Sequence, residues 1–266
     1  MTYNLIHDEE EIKYFFDNII PNLSNNEIYF LSLSARNKYL TGKEREYYGL
    51  GRTEMFERTI VRERNWSKFL RKIKRFQTVE GSYLTKKNLP IPEKSMVVYF
   101  NINPTNVLKA YNEFSHTMSE YFMELGLNAS KGGDLENVSK RMKKMDVLLM
   151  NCFQRNRGTK HYIDIDFDIP KDETWVLSKF LDNLKENNVT YYVIDTKSGY
   201  HVMLLRDSVK YNFPEVVKNL QDEANEYRLG KMISEQHWEI VVNKNEMVPL
   251  PGTYQAGYPV KILKGV

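Results

Sequence analysis

The segment Tyr162–Asp168 constrains this chain more than any other. It reads YIDIDFD, with Asp164, Asp166 and Asp168 alternating with Ile163, Ile165 and Phe167. In a strand, alternate side chains point the same way, so one face carries carboxylates and the other is apolar. Carboxylates this close raise one another's pKa, and a divalent cation relieves the repulsion. Oxygen-only donors suit magnesium or manganese. Further on, Thr196-Lys197-Ser198-Gly199-Tyr200-His201 lies between two apolar runs. Its glycine permits close backbone approach to a ligand, and Lys197, Ser198 and His201 are suited to phosphate oxygens. A metal platform beside a phosphate-binding turn is the layout of a nucleotidyl-transfer site. The short link between the runs predicts a hairpin, hence a mixed rather than wholly parallel sheet.

The chain has 266 residues, 41% hydrophobic and 27% charged, which predicts a soluble globular protein. No apolar run is long enough to cross a bilayer, and the N-terminus lacks the pattern of a secretory signal. A cytoplasmic protein with no membrane partner is expected. The single cysteine, Cys152, excludes an internal disulfide and a cysteine-rich zinc site. A formal charge of +3 does not by itself point to nucleic acid, so the distribution of charge matters more.

Before the aspartates, residues 8–20 read as a helix capped by Asp8, and Glu27 to Leu33 as a buried strand. Arg36 and Lys38 follow that strand, where ligands gather in open α/β sheets, and are candidate triphosphate or template-phosphate contacts. Residues 53–76 show helical spacing, with Trp66, Phe69, Leu70, Ile73 and Phe76 inward and a basic face including Arg71, Lys72 and Arg75. That face suits a nucleic-acid backbone, or else plain solvation. Met96 to Ile102 reads as a second strand and 105–126 as an amphipathic helix with Tyr111 and Met118 on its stripe. Gly132-Gly133 breaks the chain. A basic helix over 134–150 follows, containing Lys140, Arg141, Lys143 and Lys144. Arg155 and Arg157 lead into the aspartate strand as candidate template contacts. Helices at 173–187 and 214–226 flank the hairpin.

An Asp-x-Asp strand, a helix and a Ser-Gly-Tyr-His turn opening a strand resemble motifs I and II of the archaeo-eukaryotic primase superfamily, which includes the prim-pols of phages and plasmids. Leu250-Pro251-Gly252-Thr253 resembles the segment after that superfamily's third acidic motif. Counting back from it puts the third catalytic position at Asn243. An arginine and a histidine usual around that segment are Pro249 and Gln255 here. Glu239, sharing a strand face with Asn243, and Glu246, in a turn, are alternative carboxylates. His237 is a further candidate.

The resemblance implies one primase-polymerase core over residues 1–266. Its part from 151 to 266 is a mixed sheet of the RNA-recognition-motif type that carries the motifs. Its part from 1 to 150 is α/β with a helical insertion at about 43–94. It also implies template-directed nucleotidyl transfer, by a DNA primase or primase-polymerase, in the replication of a phage or other mobile element. Asp164 and Asp166 would hold two magnesium or manganese ions, helped by Asn243 or Glu239. Ser198 and His201, aided by Lys197, would bind the incoming nucleoside triphosphate opposite a single-stranded DNA template. Initiation would draw on a separate helicase or priming partner. Two other readings stay open: a primase-like protein that binds nucleic acid or nucleotide without polymerising, and another Asp-x-Asp metal enzyme such as a glycosyltransferase or nuclease.

Overall fold

The computed structural model describes residues 1–131, 136, 139–140, 143–210, 212–230, 238–243 and 246–263. The chain is mixed α/β, and both of its sheets are antiparallel. It divides into two compact units. One comprises Met1–Asn22, Phe30–Ile102 and His161–Val266, the other Leu23–Tyr29 and Asn103–Lys160. The Gly132-Gly133 break, Arg141 and His237 lie outside the described residues.

The larger unit opens with α1 (Glu9–Tyr14), whose free N–H groups are capped by Asp8, which accepts from the amides of Glu10 and Glu11. The expected helix does continue to Ile19, but as a π-turn over Phe15–Ile19. Strand β1 (Glu27–Arg36) follows, then α2 (Gly42–Tyr48), β2 (Thr53–Val61), α3 (Trp66–Lys74) and β3 (Met96–Asn101). Residues 53–76 are therefore not one helix. Thr59, Ile60 and Val61 form a β-branched cluster that favours a strand. Asn65 then caps α3 by accepting from the Lys68 amide at 3.0 Å. The first sheet has the order β11-β10-β3-β1-β2, with β9 also paired to β3. Its three late strands are β9 (Met247–Pro249), β10 (Tyr254–Gln255) and β11 (Tyr258–Pro259). One face of it is apolar: Leu31, Leu33 and Phe100 are buried, and Phe100 packs edge-on against Phe15 and Phe69 at 5.6 and 6.0 Å. Each such buried aromatic contributes roughly 1.5–3 kcal/mol. The opposite face is polar. Ser32 and Ser34 of β1 stand opposite Tyr99 and Val97 of β3, and Arg36 continues the same row.

The second sheet is built from β5 (Tyr162–Asp168), α6 (Trp175–Glu186), β6 (Tyr191–Thr196), β7 (Gly199–Leu205), α7 (Phe213–Gly230) and β8 (Glu239–Val242), with β12 (Lys261–Leu263) added at its edge. Helices α4 (Val107–Lys131) and α5 (Met145–Arg155) belong to the smaller unit. The order β12-β6-β7-β5-β8 contains the β-α-β-β-α-β succession of ferredoxin-like folds. The expected mixed sheet is thus fully antiparallel. Each helix crossover returns the chain two positions away, and the strand between always runs the other way. Ile165 and Phe167 of β5 face Val176, Phe180 and Leu184 of α6 in a core closed by α7 and Trp238.

The smaller unit holds β4 (Thr105–Asn106), paired to Glu27 and Ile28, and the contacting helices α4 (Val107–Lys131) and α5 (Met145–Arg155). The inserted helical part is therefore 103–160, not 43–94, because the latter supplies strand β2 to the first sheet. The expected stripe of α4 is only partly buried: Met118 is covered, while Tyr111 is 59% exposed. The unit's anchor is Glu27, whose carboxylate accepts from the amide of Ser24 and from the amide and hydroxyl of Thr159. Burial pushes Glu27 up, but these hydrogen bonds outweigh it and hold its pKa at about 2.

Candidate functional site

The alternation in β5 survives folding. Ile165 and Phe167 enter the core, and Asp164, Asp166 and Asp168 share the opposite face. Two neighbouring strands complete that face. In β7, His201 stands directly opposite Asp166. In β8, Glu239 stands opposite Asp168 and Val241 opposite Asp166. One step further, the Asn243 amide donates to the Asp164 carbonyl at 2.8 Å, which places Asn243 beside Asp164. Directly opposed residues in a ladder point the same way. The third position inferred from the Leu-Pro-Gly-Thr segment therefore falls at the first aspartate, and Glu239 at the other end of the face. Glu246 is buried, with positive φ, its carbonyl accepting from the Ile102 amide.

Asp164 is the buried member, at 1% exposure. The His201 Nδ1–H donates to its two oxygens at 3.0 and 3.2 Å, and Asn243 Nδ2 donates to Oδ2 at 2.6 Å. His201 Nε2 lies 3.8 Å from Asp166 Oδ1, so one imidazole spans both carboxylates. Burial would lower the pKa of His201, but Asp164 and Asp166 outweigh it and raise it to about 9. Burial raises Asp166, His201 opposes that rise, and Asp164 and Asp168 add to it.

Basic groups from the polar side of the first sheet meet this face. Lys38 Nζ lies 3.7 Å from Asp168 Oδ2 and donates to Ser198 Oγ at 3.0 Å. Burial lowers the Lys38 pKa, with Asp168 opposing. Arg36 donates through Nη1 to the Tyr99 hydroxyl at 3.0 Å, and both lie within electrostatic reach of Asp166. Arg36 Nε is buried without a hydrogen-bond partner. The structure thus brings together Asp164, Asp166, His201, Asn243, Ser198, Arg36 and Lys38.

Other candidates stand elsewhere or act differently. Lys197 is tied within the chain: its Nζ donates to the Ala256 carbonyl at 2.8 Å and its amide to Gln255 Oε1 at 2.7 Å. Gln255 also donates to the Tyr39 hydroxyl at 2.7 Å, so it ties the hairpin turn to the first sheet. Gly199 is closely packed. A Cβ there would lie 1.8 Å from the Phe167 carbonyl oxygen, so the glycine serves the close approach of β7 to β5. Gly252, with φ +82°, packs on the start of α1, where a Cβ would lie 2.4 Å from the Asp8 carbonyl oxygen. Arg71, Lys72 and Arg75 lie on α3, and Arg75 approaches Glu57 at 4.0 Å. In the smaller unit Arg155 pairs with Glu113 at 2.6 Å, and Arg157 bridges Thr105. Tyr39 and Tyr99 were missed in the sequence. The one signal for Tyr99 is a polar tip inside the apolar run MVVYFNI.

Carboxylate oxygens are the donor type that hard divalent cations take, and this face offers those of Asp164 and Asp166, with His201 lying across both. Among the described residues, the trio whose ligand atoms all lie within 4.8 Å of one another is a different one, His7, Asp8 and Glu11. Each of these is already engaged. His7 Nε2 meets the Val260 carbonyl at 3.0 Å, Asp8 caps α1, and Glu11 accepts from the Ile262 amide at 2.5 Å. They clamp the C-terminal strands to α1. No helix among the described residues is long and apolar enough to cross a membrane. Comparison with protein-family models, with curated proteins and with solved structures finds no match to this chain.

Proposed function

We propose that the chain is a template-directed nucleotidyltransferase of the DNA primase or primase-polymerase type, acting in the replication of a phage or other mobile element. One observation carries the reading: His201, from the Ser-Gly-Tyr-His turn, lies across Asp164 and Asp166, so the two sequence motifs form one site. Asp164 and Asp166 would hold magnesium or manganese, with Asn243 as a neutral helper. Bound there, the metal supplies Lewis acidity toward phosphoryl oxygens. The chain's own groups do the rest. Arg36, with its unpartnered buried Nε, and Lys38 receive the triphosphate of an incoming nucleotide, and Ser198 orients Lys38. Leaving such a buried donor unmet costs roughly 1–3 kcal/mol, which a phosphate oxygen recovers. His201 holds Asp164 in place and presents a positive edge toward Asp166. Catalysis then consists of positioning and charge stabilisation. The template would be single-stranded DNA, and a helicase or priming partner would assist initiation.

A second reading, a primase-like binder that does not polymerise, is favoured by one feature: an amide stands where a third carboxylate would, and it donates to Asp164. Asn243→Asp separates the two. For a polymerase weakened only by its third position, nucleotide incorporation in magnesium rises by about tenfold or more, the gain of one charged ligand. For a binder, neither protein incorporates nucleotide while oligonucleotide binding persists.

A further inference from the structure

Away from the carboxylates, the free edge of the first sheet forms an open cleft of about 410 Å³ between β2 and α3. Arg58, Arg62, Lys68 and Lys72 line it, with Glu63 as its acid. Glu63 is taken by Lys68, at 2.5 Å. Among the described residues, Arg58, Arg62 and Lys72 have no ion-pair partner. Arg58 is half-buried. Its guanidinium stacks 5.4 Å from the Phe30 ring, and its Nε is buried without a hydrogen-bond partner. Lys72 is held below the ordinary lysine value by burial, and then by Arg75, Arg71 and Arg62. Like charges gathered round an open cleft repel. An anion relieves that repulsion and meets the orphan donor. The cations continue from the cleft onto Arg71 and Arg75 along α3, a track rather than a point. That suits a chain of phosphates better than one.

We infer that the cleft between β2 and α3 binds the backbone phosphates of a single-stranded nucleic acid, at a site separate from Asp164 and Asp166. The inference concerns binding only and does not require that the chain polymerise.

The test is fluorescence anisotropy of the full chain with a labelled mixed-sequence oligodeoxynucleotide over a series of salt concentrations. Arg58→Gln with Arg62→Gln and Lys72→Gln is expected to weaken binding at least ~10-fold at low salt. The slope of log affinity against log salt should flatten by about 2, since each phosphate contact on a single strand is worth about 0.7. A charge-matched control, Lys13→Gln with Lys179→Gln and Lys185→Gln, keeps the wild-type affinity and slope. Thermal melts establish folding. If the triple variant melts early, Arg62→Gln with Lys72→Gln, which retains the stacked arginine, is expected to flatten the slope by about 1.4, two contacts at about 0.7 each. Asp164→Ala with Asp166→Ala keeps the binding whether or not the wild type polymerises, so failure here is distinct from failure of the proposed chemistry. A wild type that does not bind, or a triple variant with unchanged affinity and slope, overturns the inference. So does a triple variant that loses only free ATP, which would make the cleft a nucleotide site.

Discussion

Gly199→Ala is expected to destabilise the protein by more than ~3 kcal/mol, the tail of the mutational range reserved for backbone conflicts. Its Cβ would sit 1.8 Å from the Phe167 carbonyl oxygen and 2.9 Å from that carbonyl carbon. Neither is a flexible side-chain end, so relief requires β7 to move away from β5. Those strands pair from Tyr162↔Leu205 to Phe167↔Tyr200, and the pairing carries Asp166 and His201 into register. The lesion therefore damages the site as well as the fold. For a chain of this size the melting temperature should fall by roughly 10 °C. Gly126→Ala is the contrast, because a Cβ at that helical position meets nothing within 4 Å. It should stabilise by about 0.5–1 kcal/mol. Thermal melts of the two variants settle the matter. Equal, small effects would show that the strand approach at Gly199 is slack.

The second large effect is at His201. Its imidazolium compensates a carboxylate that is almost wholly buried, so His201→Ala leaves Asp164 with the Asn243 amide and without its cation. Removing one partner of a buried pair typically costs about 3–5 kcal/mol. The same contact makes stability depend on pH in the metal-free protein. The His201 pKa is raised from 6.5 to about 9 on folding, so the folded state binds its proton more tightly. Its stabilisation is complete below about pH 6.5 and is lost as pH rises through about 9, an effect of roughly 3 kcal/mol. Denaturant titrations in chelator, from pH 6 to 9.5, should show this decline in the wild type and a flatter profile in His201→Gln. A wild type whose stability rises over that window contradicts the contact.

Much of this site is legible in the sequence because it rests on local periodicity. The alternation of Asp164, Asp166 and Asp168 with Ile165 and Phe167 fixes which face meets α6, and Thr196 to Gly199 fixes a two-residue hairpin. Counting back from Leu250-Pro251-Gly252-Thr253 places Asn243 beside Asp164, although a count cannot show that its amide points there. What the sequence hides is non-local. Lys197 and Gly199 look like ligand-binding residues of a turn. Their partners, Gln255, Ala256 and Phe167, are brought to them by other strands. Strand β2 is masked by the strong helical spacing that begins at Trp66. The excursion at 103–160 is masked because its anchor, Glu27 with Thr159, joins residues far apart in the chain. The antiparallel order of the second sheet follows from its crossovers, which a hairpin by itself does not determine.

The most direct measurement is incorporation of labelled nucleotides on primed and unprimed single-stranded DNA, in magnesium and in manganese, by wild type and by Asp164→Ala with Asp166→Ala. The account predicts incorporation by the wild type and a loss of at least ~1000-fold in the variant, about 4 kcal/mol of transition-state stabilisation. Products in the unprimed lanes would identify a primase. Equal incorporation by both proteins, or none by a folded wild type in either metal, would contradict it.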